Sequence, residues 1–145
     1  MPTTARDDPY GRFNFLVELD GVAKAGFSEV EGLGGEVDVV AYREGADRTN
    51  ALRLLPGLVR YPRVVLRRGF GGDAGLFEWW KTVRDGAAER RDLSIVLLDE
   101  KREPVARWLL RRAWPAKWEG PALNAKTSEV AIESLELVHE GIELE

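Results

Sequence analysis

The sequence predicts a mainly β protein, an antiparallel β-barrel or sandwich of about seven strands with one flanking α-helix. Three observations predict it. The apolar segments are short and several alternate with period two. They are separated by hairpin-type signals such as Asp20-Gly21 and not by repeated helical crossovers. Only residues 73–86 combine a helical apolar stripe with capping residues at both ends.

Residues 12–20 form the first expected strand. Phe13, Phe15, Val17 and Leu19 share one face, and Arg12, Asn14, Glu18 and Asp20 share the other. After the Asp20-Gly21 turn a second strand over 22–30 runs back beside it. Gly26 within that strand predicts a bulge or a close backbone approach. Gly32, Gly34 and Gly35 mark the next loop, and a third strand covers 36–43 with Val37, Val39 and Ala41 on one face. Residues 44–57 lack a period and are expected to be a long loop, a feature that in compact domains is usually functional or disordered. Its Leu52, Leu54 and Leu55 exceed what a solvated loop needs. Residues 58–68 resume as a strand, with Pro62 predicting an edge or a bulge.

For the helix, Asp73 is placed as N-cap and Gly86 as the C-terminal glycine. Leu76, Phe77, Trp80 and Val83 make its apolar stripe, with Trp79 off the centre. Residues 93–98 read as a short, nearly continuous apolar strand. A turn at 99–103 leads into a strand over 104–114. There Trp108, Leu110 and Trp114 share a face with Arg112, while Val105 and Leu109 share the other with Arg107 and Arg111. Residues 128–139 fit a helix or a strand. Apolar residues among alternating acids favour a strand, with a bulge near Glu133 to bring Val130 and Ile132 into phase with Leu135 and Leu137.

The chain of 145 residues is expected to form one domain over 1–145. It has no cysteine, which excludes a disulfide scaffold, a thiolate metal site and a cysteine nucleophile. A single histidine, His139, excludes a multi-histidine metal centre. The net charge of −4 argues against a general nucleic-acid binder. Residues 1–8 are polar and lack the apolar stretch of a signal peptide, and no apolar run approaches the roughly 20 residues of a membrane span. A protein made in the cytoplasm of the producing cell, which does not leave by the general secretory route on its own, is expected.

The strongest chemical motif is Gly69-Phe70-Gly71-Gly72-Asp73-Ala74, which fits the dinucleotide-binding pattern between a strand and a helix. Asp73 stands where it would repel a pyrophosphate, and the chain lacks repeated βαβ units, so a glycine-rich connector is the better account. No serine lies in a nucleophile-elbow pattern that would give His139 a partner. Glu129, Glu133, Glu136, Glu140, Glu143 and Glu145 form an acidic run, read as a solvated or lumen-facing edge before a metal site. Arg67-Arg68, Arg90-Arg91, Lys101-Arg102 and Arg111-Arg112 are scattered among acids and outline no phosphate-tracking groove. Trp108, Trp114 and Trp118 around Pro115 make an aromatic corner, suited to a core or an interface. With the catalytic inventory nearly empty, these features point towards assembly.

Several segments then become recognisable. They are Asp8-Pro9-Tyr10-Gly11-Arg12-Phe13-Asn14-Phe15-Leu16-Val17-Glu18, Ala25-Gly26-Phe27-Ser28-Glu29 with Gly32-Leu33, Tyr42-Arg43-Glu44-Gly45 and Leu55-Pro56-Gly57. Ser94-Ile95-Val96-Leu97-Leu98-Asp99, Ala113-Trp114-Pro115-Ala116-Lys117-Trp118-Glu119-Gly120-Pro121, Asn124-Ala125-Lys126 and Glu129-Val130-Ala131-Ile132-Glu133 follow in order. Together they resemble the inner-tube proteins of contractile-tailed phages and phage-tail-like contractile injection systems, a family related in fold to the haemolysin-coregulated protein of type VI secretion. Gly34-Gly35 and residues 46–51 depart from the family pattern.

The resemblance implies a non-enzymatic structural subunit without cofactor or metal. Six copies close a ring, the subunit sheets join edge to edge around a lumen, and rings stack into a tube driven through a target envelope by sheath contraction. The implied partners are further copies of the chain, a sheath protein, baseplate or tube-initiator proteins, and a tape-measure protein or cargo in the lumen. No membrane anchor and no sequence-specific nucleic-acid binding are implied. The loop that reaches the neighbouring ring corresponds here to Tyr42, Arg43, Glu44, Gly45, Arg48, Leu52, Arg53, Leu54, Leu55, Pro56 and Gly57. Arg107 and Arg111 are candidate charged faces between subunits. The short chain favours the shaft over the ring that initiates it at the baseplate.

Overall fold

The computed structural model describes residues 8–20, 22–24 and 26–145; the readings of residues 1–7, Gly21 and Ala25 lie outside it. The described elements run β1 (Phe15–Leu19), β2 (Val22–Lys24), β3 (Phe27–Glu31), β4 (Glu36–Tyr42), β5 (Arg53–Arg60), β6 (Val64–Gly69), α1 (Gly75–Arg84), β7 (Arg91–Leu98), β8 (Pro104–Glu119), β9 (Ile132–Val138) and β10 (Gly141–Leu144). Seven strands follow one another in the order β2-β1-β7-β8-β9-β6-β3, with β10 added to β8, and every pairing is antiparallel. Among the described residues, β4 and β5 pair only with each other.

The long strand β8 folds this ribbon into two facing sheets. Its first part pairs with β7 on one side and β10 on the other; from Trp114 onward it pairs with β9. Between the two parts Arg112 takes a left-handed φ of 52°, and its amide donates to the Asp92 carboxylate at 3.1 Å. That side-chain bond supports a conformation costly for a residue with a Cβ. Val17, Leu19, Leu93, Ile95 and Leu110 from one sheet meet Val64, Leu66, Leu135 and Leu137 from the other in a single core. Full burial of each such side chain is worth about 1.5–3 kcal/mol.

The first turn forms as the sequence predicts: β1 and β2 pair across Asp20, which is left-handed at φ 52°. The expected second strand is broken. Gly26 adopts φ 95°, and the chain leaves the first sheet for the second between β2 and β3. The strand expected over 58–68 is also interrupted, at 61–63 around Pro62, which has no amide hydrogen for a ladder.

Helix α1 covers the core with Leu76 and Trp79 fully buried, while Trp80 of the expected stripe packs against the core only partly buried. Trp79 is 2% exposed, and its indole donates to the Glu89 carbonyl at 2.7 Å. Phe77 meets Trp118 edge-on at 5.0 Å. Asp73 accepts from the Gly75 amide at 2.9 Å, two residues on, rather than serving as N-cap, which is Ala74. Gly86, at φ 88°, closes the helix as expected. β9 needs no bulge at Glu133. Glu133, Leu135 and Leu137 all point inward, and Val130 stays exposed.

Candidate assembly surface

The segment expected to be a long loop is a loop over residues 44–52 and a strand over the rest. Residues 53–57 belong to β5, which pairs Tyr42 with Arg53, Ala41 with Leu54, Val40 with Leu55, Val39 with Pro56 and Val37 with Val59. β4 and β5 therefore form an arm whose connecting tip is only residues 43–52. A bulge between Val37 and Val39 accommodates Gly57, where a Cβ would sit 3.1 Å from the Asp38 carbonyl oxygen.

Strand alternation gives the arm two faces. Cross-strand partners share a face, so Val37, Val39, Ala41, Leu54, Pro56 and Val59 make one wholly apolar side. The other carries the Val40–Leu55 and Tyr42–Arg53 pairs, and beyond them Asp38 bonded to Arg60 at 2.9 Å. The hydrogen-bonded Arg60 guanidinium holds the Asp38 carboxyl below the usual carboxylate range. Both faces are open: Val39 and Leu54 are each 69% exposed, and Tyr42, Val40 and Leu55 close to half. The two strands make no substantial contact with any other element. An isolated two-stranded hairpin is marginal in water, and exposed apolar surface of this extent marks an interaction site.

The tip is shaped by its own polar groups. Asp47 accepts from the Glu44 amide at 3.1 Å and from Arg53 at 2.5 Å, and Arg43 donates to the carbonyls of Thr49 and Asp47. Tyr42 donates to Glu44 at 3.1 Å. Gly45, Arg48 and Leu52 stand exposed around this turn. Of the residues expected in this loop, Glu44, Gly45, Arg48 and Leu52 lie in the connecting tip, whereas Arg53, Leu54, Leu55, Pro56 and Gly57 belong to a strand.

The root is rigid. Gly32 has φ 97°, and a Cβ there would lie 2.1 Å from the Arg63 carbonyl oxygen. Only glycine allows the chain leaving β3 to cross the strand returning from the arm.

Arg107 and Arg111 lie on β8 beside β10. Arg107 is ion-paired within the chain to Glu18, while Arg111 is exposed. The acidic run is dispersed. Glu133 is buried against Arg68, Glu136 bonds Arg63 and Lys117, and Glu140 bonds Arg112. Among the described residues no group of three or more histidines, aspartates or glutamates has metal-holding geometry. His139 is half-buried between β9 and β10, 5.2 Å from the Tyr61 ring, with Nδ1 bonded to the Gly141 carbonyl at 3.0 Å. The glycine motif follows β6, whose two neighbours are both antiparallel, and Asp73 occupies the approach to α1. This differs from the parallel strand–helix setting of a dinucleotide site.

The fold is that of tube components of contractile particles. A chain of the PVC sheath–tube complex of an extracellular contractile injection system, in the extended state, superposes with a TM-score of 0.85 at 23% identity, covering 96% of this chain and 93% of that one. A chain of the anti-feeding prophage baseplate gives 0.81 at 26% identity, covering 96% and 97%. Hcp1 from Flavobacterium johnsoniae gives 0.55 at 16% identity, covering 90% and 93%. No curated protein matches the chain. Residues 11–143 match the T4-like virus tail tube protein gp19 family, and the chain belongs to that family. It is a structural tube protein. Among the described residues no helix is long and apolar enough to cross a membrane.

Proposed function

We propose that the chain is the shaft subunit of an inner tube, with six copies closing a ring and rings stacking through the β4–β5 arm. One observation carries this reading: a hairpin with apolar residues on both faces, Val39 and Leu54 among them, projects from a domain that gives it no cover. Such an arm is stabilised when another copy buries it. Edge strands supply the lateral contacts. β3 and β10 each pair on one side only, and closure into a ring removes such edges. The sheath protein meets the outside, baseplate proteins start the stack, and a tape-measure protein or cargo occupies the lumen. The subunit works mechanically, without a reaction or a cofactor, and is made in the cytoplasm before entering the particle. Arg111 faces a neighbour's acids in this arrangement, while Arg107 is held by Glu18 of its own chain.

The resemblance to a chain of a baseplate favours a second reading, a single ring that starts the tube. Negative-stain microscopy of the purified protein separates the two: long tubes support the shaft, isolated rings the initiator. A chain with residues 43–52 replaced by a short turn is expected to fold and to build no tubes. Long tubes from that variant refute the role of the arm.

A further inference from the structure

The arm joins the body through a clasp. Gly34 and Gly35 lead into β4 on the way out, and Tyr61 and Pro62 follow β5 on the way back. A Cβ at Gly35 would lie 3.6 Å from the Tyr61 ring and one at Gly34 3.7 Å from the Pro62 ring, so the outgoing chain lies close against the returning one. The same Tyr61 ring rests on His139, with centroids 5.2 Å apart and planes inclined at 40°. His139, in the turn between β9 and β10, therefore sits beneath the root of the arm.

This imidazole is held in one protonation state. A carbonyl only accepts, so the 3.0 Å contact of Nδ1 with the Gly141 carbonyl places the neutral ring's hydrogen on Nδ1. Nε2 is then a bare lone pair, buried and, among the described residues, without a hydrogen-bond partner. A proton there creates a buried charge and a donor with no acceptor. The acids of the surrounding elements are occupied or in solvent. Glu136 of β9 pairs with Arg63 and Lys117, Glu140 of the turn with Arg112 and Arg90, and Glu143 of β10 is exposed. Arg111 of β8, beside Gly141, adds a further cation. Burial accordingly lowers the His139 pKa from 6.5, partly opposed by the Gly141 bond. Of the layers around the ring, β8, β9 and β10 are tied by ladders, whereas residues 61–63 belong to no strand.

We propose that His139 and Tyr61 form a pH-sensitive latch: neutral His139 supports Tyr61 and fixes the direction of the arm, and protonated His139 displaces Tyr61 and frees the root. Opening uncovers the ring and lets it take the proton. The latch is thus fully closed above about pH 6.5, and below that value its open population grows by at most about tenfold per pH unit, until the depressed pKa is reached. Its consequence for assembly rests on the reading of the arm as an assembly element; the latch itself does not.

A single histidine and the absence of cysteine make the test specific. Spin labels on Leu52→Cys at the arm's tip and Lys101→Cys on a turn of the body report the arm's direction. They are carried in the Leu54→Asp background and diluted with unlabelled chain, so that only distances within one subunit are read. One narrow distance distribution is expected at about pH 7.5 and a broadened one at about pH 5.5. His139→Phe and His139→Gln are expected to stay narrow at both. In spectra of the unmodified protein with nitrogen-labelled histidine, the neutral ring is expected to carry its hydrogen on Nδ1, and Tyr61→Ala to raise the titration midpoint towards 6.5 by uncovering the ring. A distribution that does not change with pH, one that broadens equally in both His139 variants, or a midpoint unmoved by Tyr61→Ala overturns the latch. Distances that broaden in acid while the tube yield of the unmodified chain stays constant overturn the arm's role in assembly and leave the latch intact.

Discussion

Arg68 Nε donates to the Glu133 carboxylate at 2.6 Å, where Glu133 is 1% exposed and the second Glu133 oxygen accepts from the Trp118 indole at 3.1 Å. The pair sits at the end of the core. It joins β6, β9 and the tail of β8, with the Arg68 guanidinium 5.8 Å from the centre of the Phe27 ring. Removing one partner of a buried ion pair leaves an uncompensated charge and costs about 3–5 kcal/mol. Glu133→Ala is expected to lose that much in denaturant melts, whereas Arg68→Met with Glu133→Leu recovers most of it. A double variant as unstable as the single one would show that the ion pair cannot be exchanged for apolar packing.

Gly32 fixes the root of the arm. In Gly32→Ala the new methyl meets the Arg63 carbonyl, so the backbone at the junction of β3 and β4 must move. The expected outcome is an arm displaced from its direction and tube formation lost, with the core melt changed much less. Microscopy combined with circular dichroism checks both halves of that statement.

The apolar arm face separates folding from assembly. Leu54 is 69% exposed in the single subunit, so Leu54→Asp is expected to change stability by less than about 0.5 kcal/mol. The same change introduces a charge into the surface proposed to meet a second copy. Sedimentation is expected to find the variant dispersed under conditions where the parent chain sediments as large particles.

Arg111 is exposed on β8 beside Gly141 of β10, whereas Arg107 is already satisfied by Glu18. Arg111→Glu is expected to weaken assembly at low salt. Arg107→Glu is expected to destabilise the subunit as well, by placing two carboxylates together. Unchanged tube yield from Arg111→Glu would remove this residue from the lateral contact.

His139 makes stability depend on pH. Burial lowers the imidazole pKa from 6.5, partly opposed by the Gly141 carbonyl bond, and Nε2 has no hydrogen-bond partner. As pH falls, the unfolded chain binds this proton before the folded one. The stability held by neutral His139 is therefore complete above about pH 6.5 and is lost as pH drops below that value towards the depressed folded pKa. The melting midpoint is expected to fall between about pH 7.5 and pH 5.5, and His139→Phe to flatten that fall. Parallel curves for the two proteins would contradict the assignment.

Legibility followed the physics of each segment. β1 was readable because its buried and more exposed residues alternate, and β7 because it is covered on both faces and so reads as a nearly continuous apolar run. β5 was not, because apolar residues lie on both of its faces and Pro56-Gly57 reads as a turn. Glu133 misled the phase of β9 because its partner, Arg68, is 65 residues away. Trp79 was set aside in favour of Trp80 because its burial depends on the distant Glu89 carbonyl. β10 is four residues long and carries no turn signal beyond Gly141. The fold and the first strand of the arm were thus legible, while the strand state of residues 53–57 was not.

The continuity of β8 through the bend at Arg112 has a mechanical consequence. A pull applied to one sheet reaches the other through covalent bonds and not through a hydrogen-bonded seam alone. Parting the sheets about this bend leaves the ladders of β7, β10 and β9 intact, so β8 is at once the hinge and the tether between the two halves of the core.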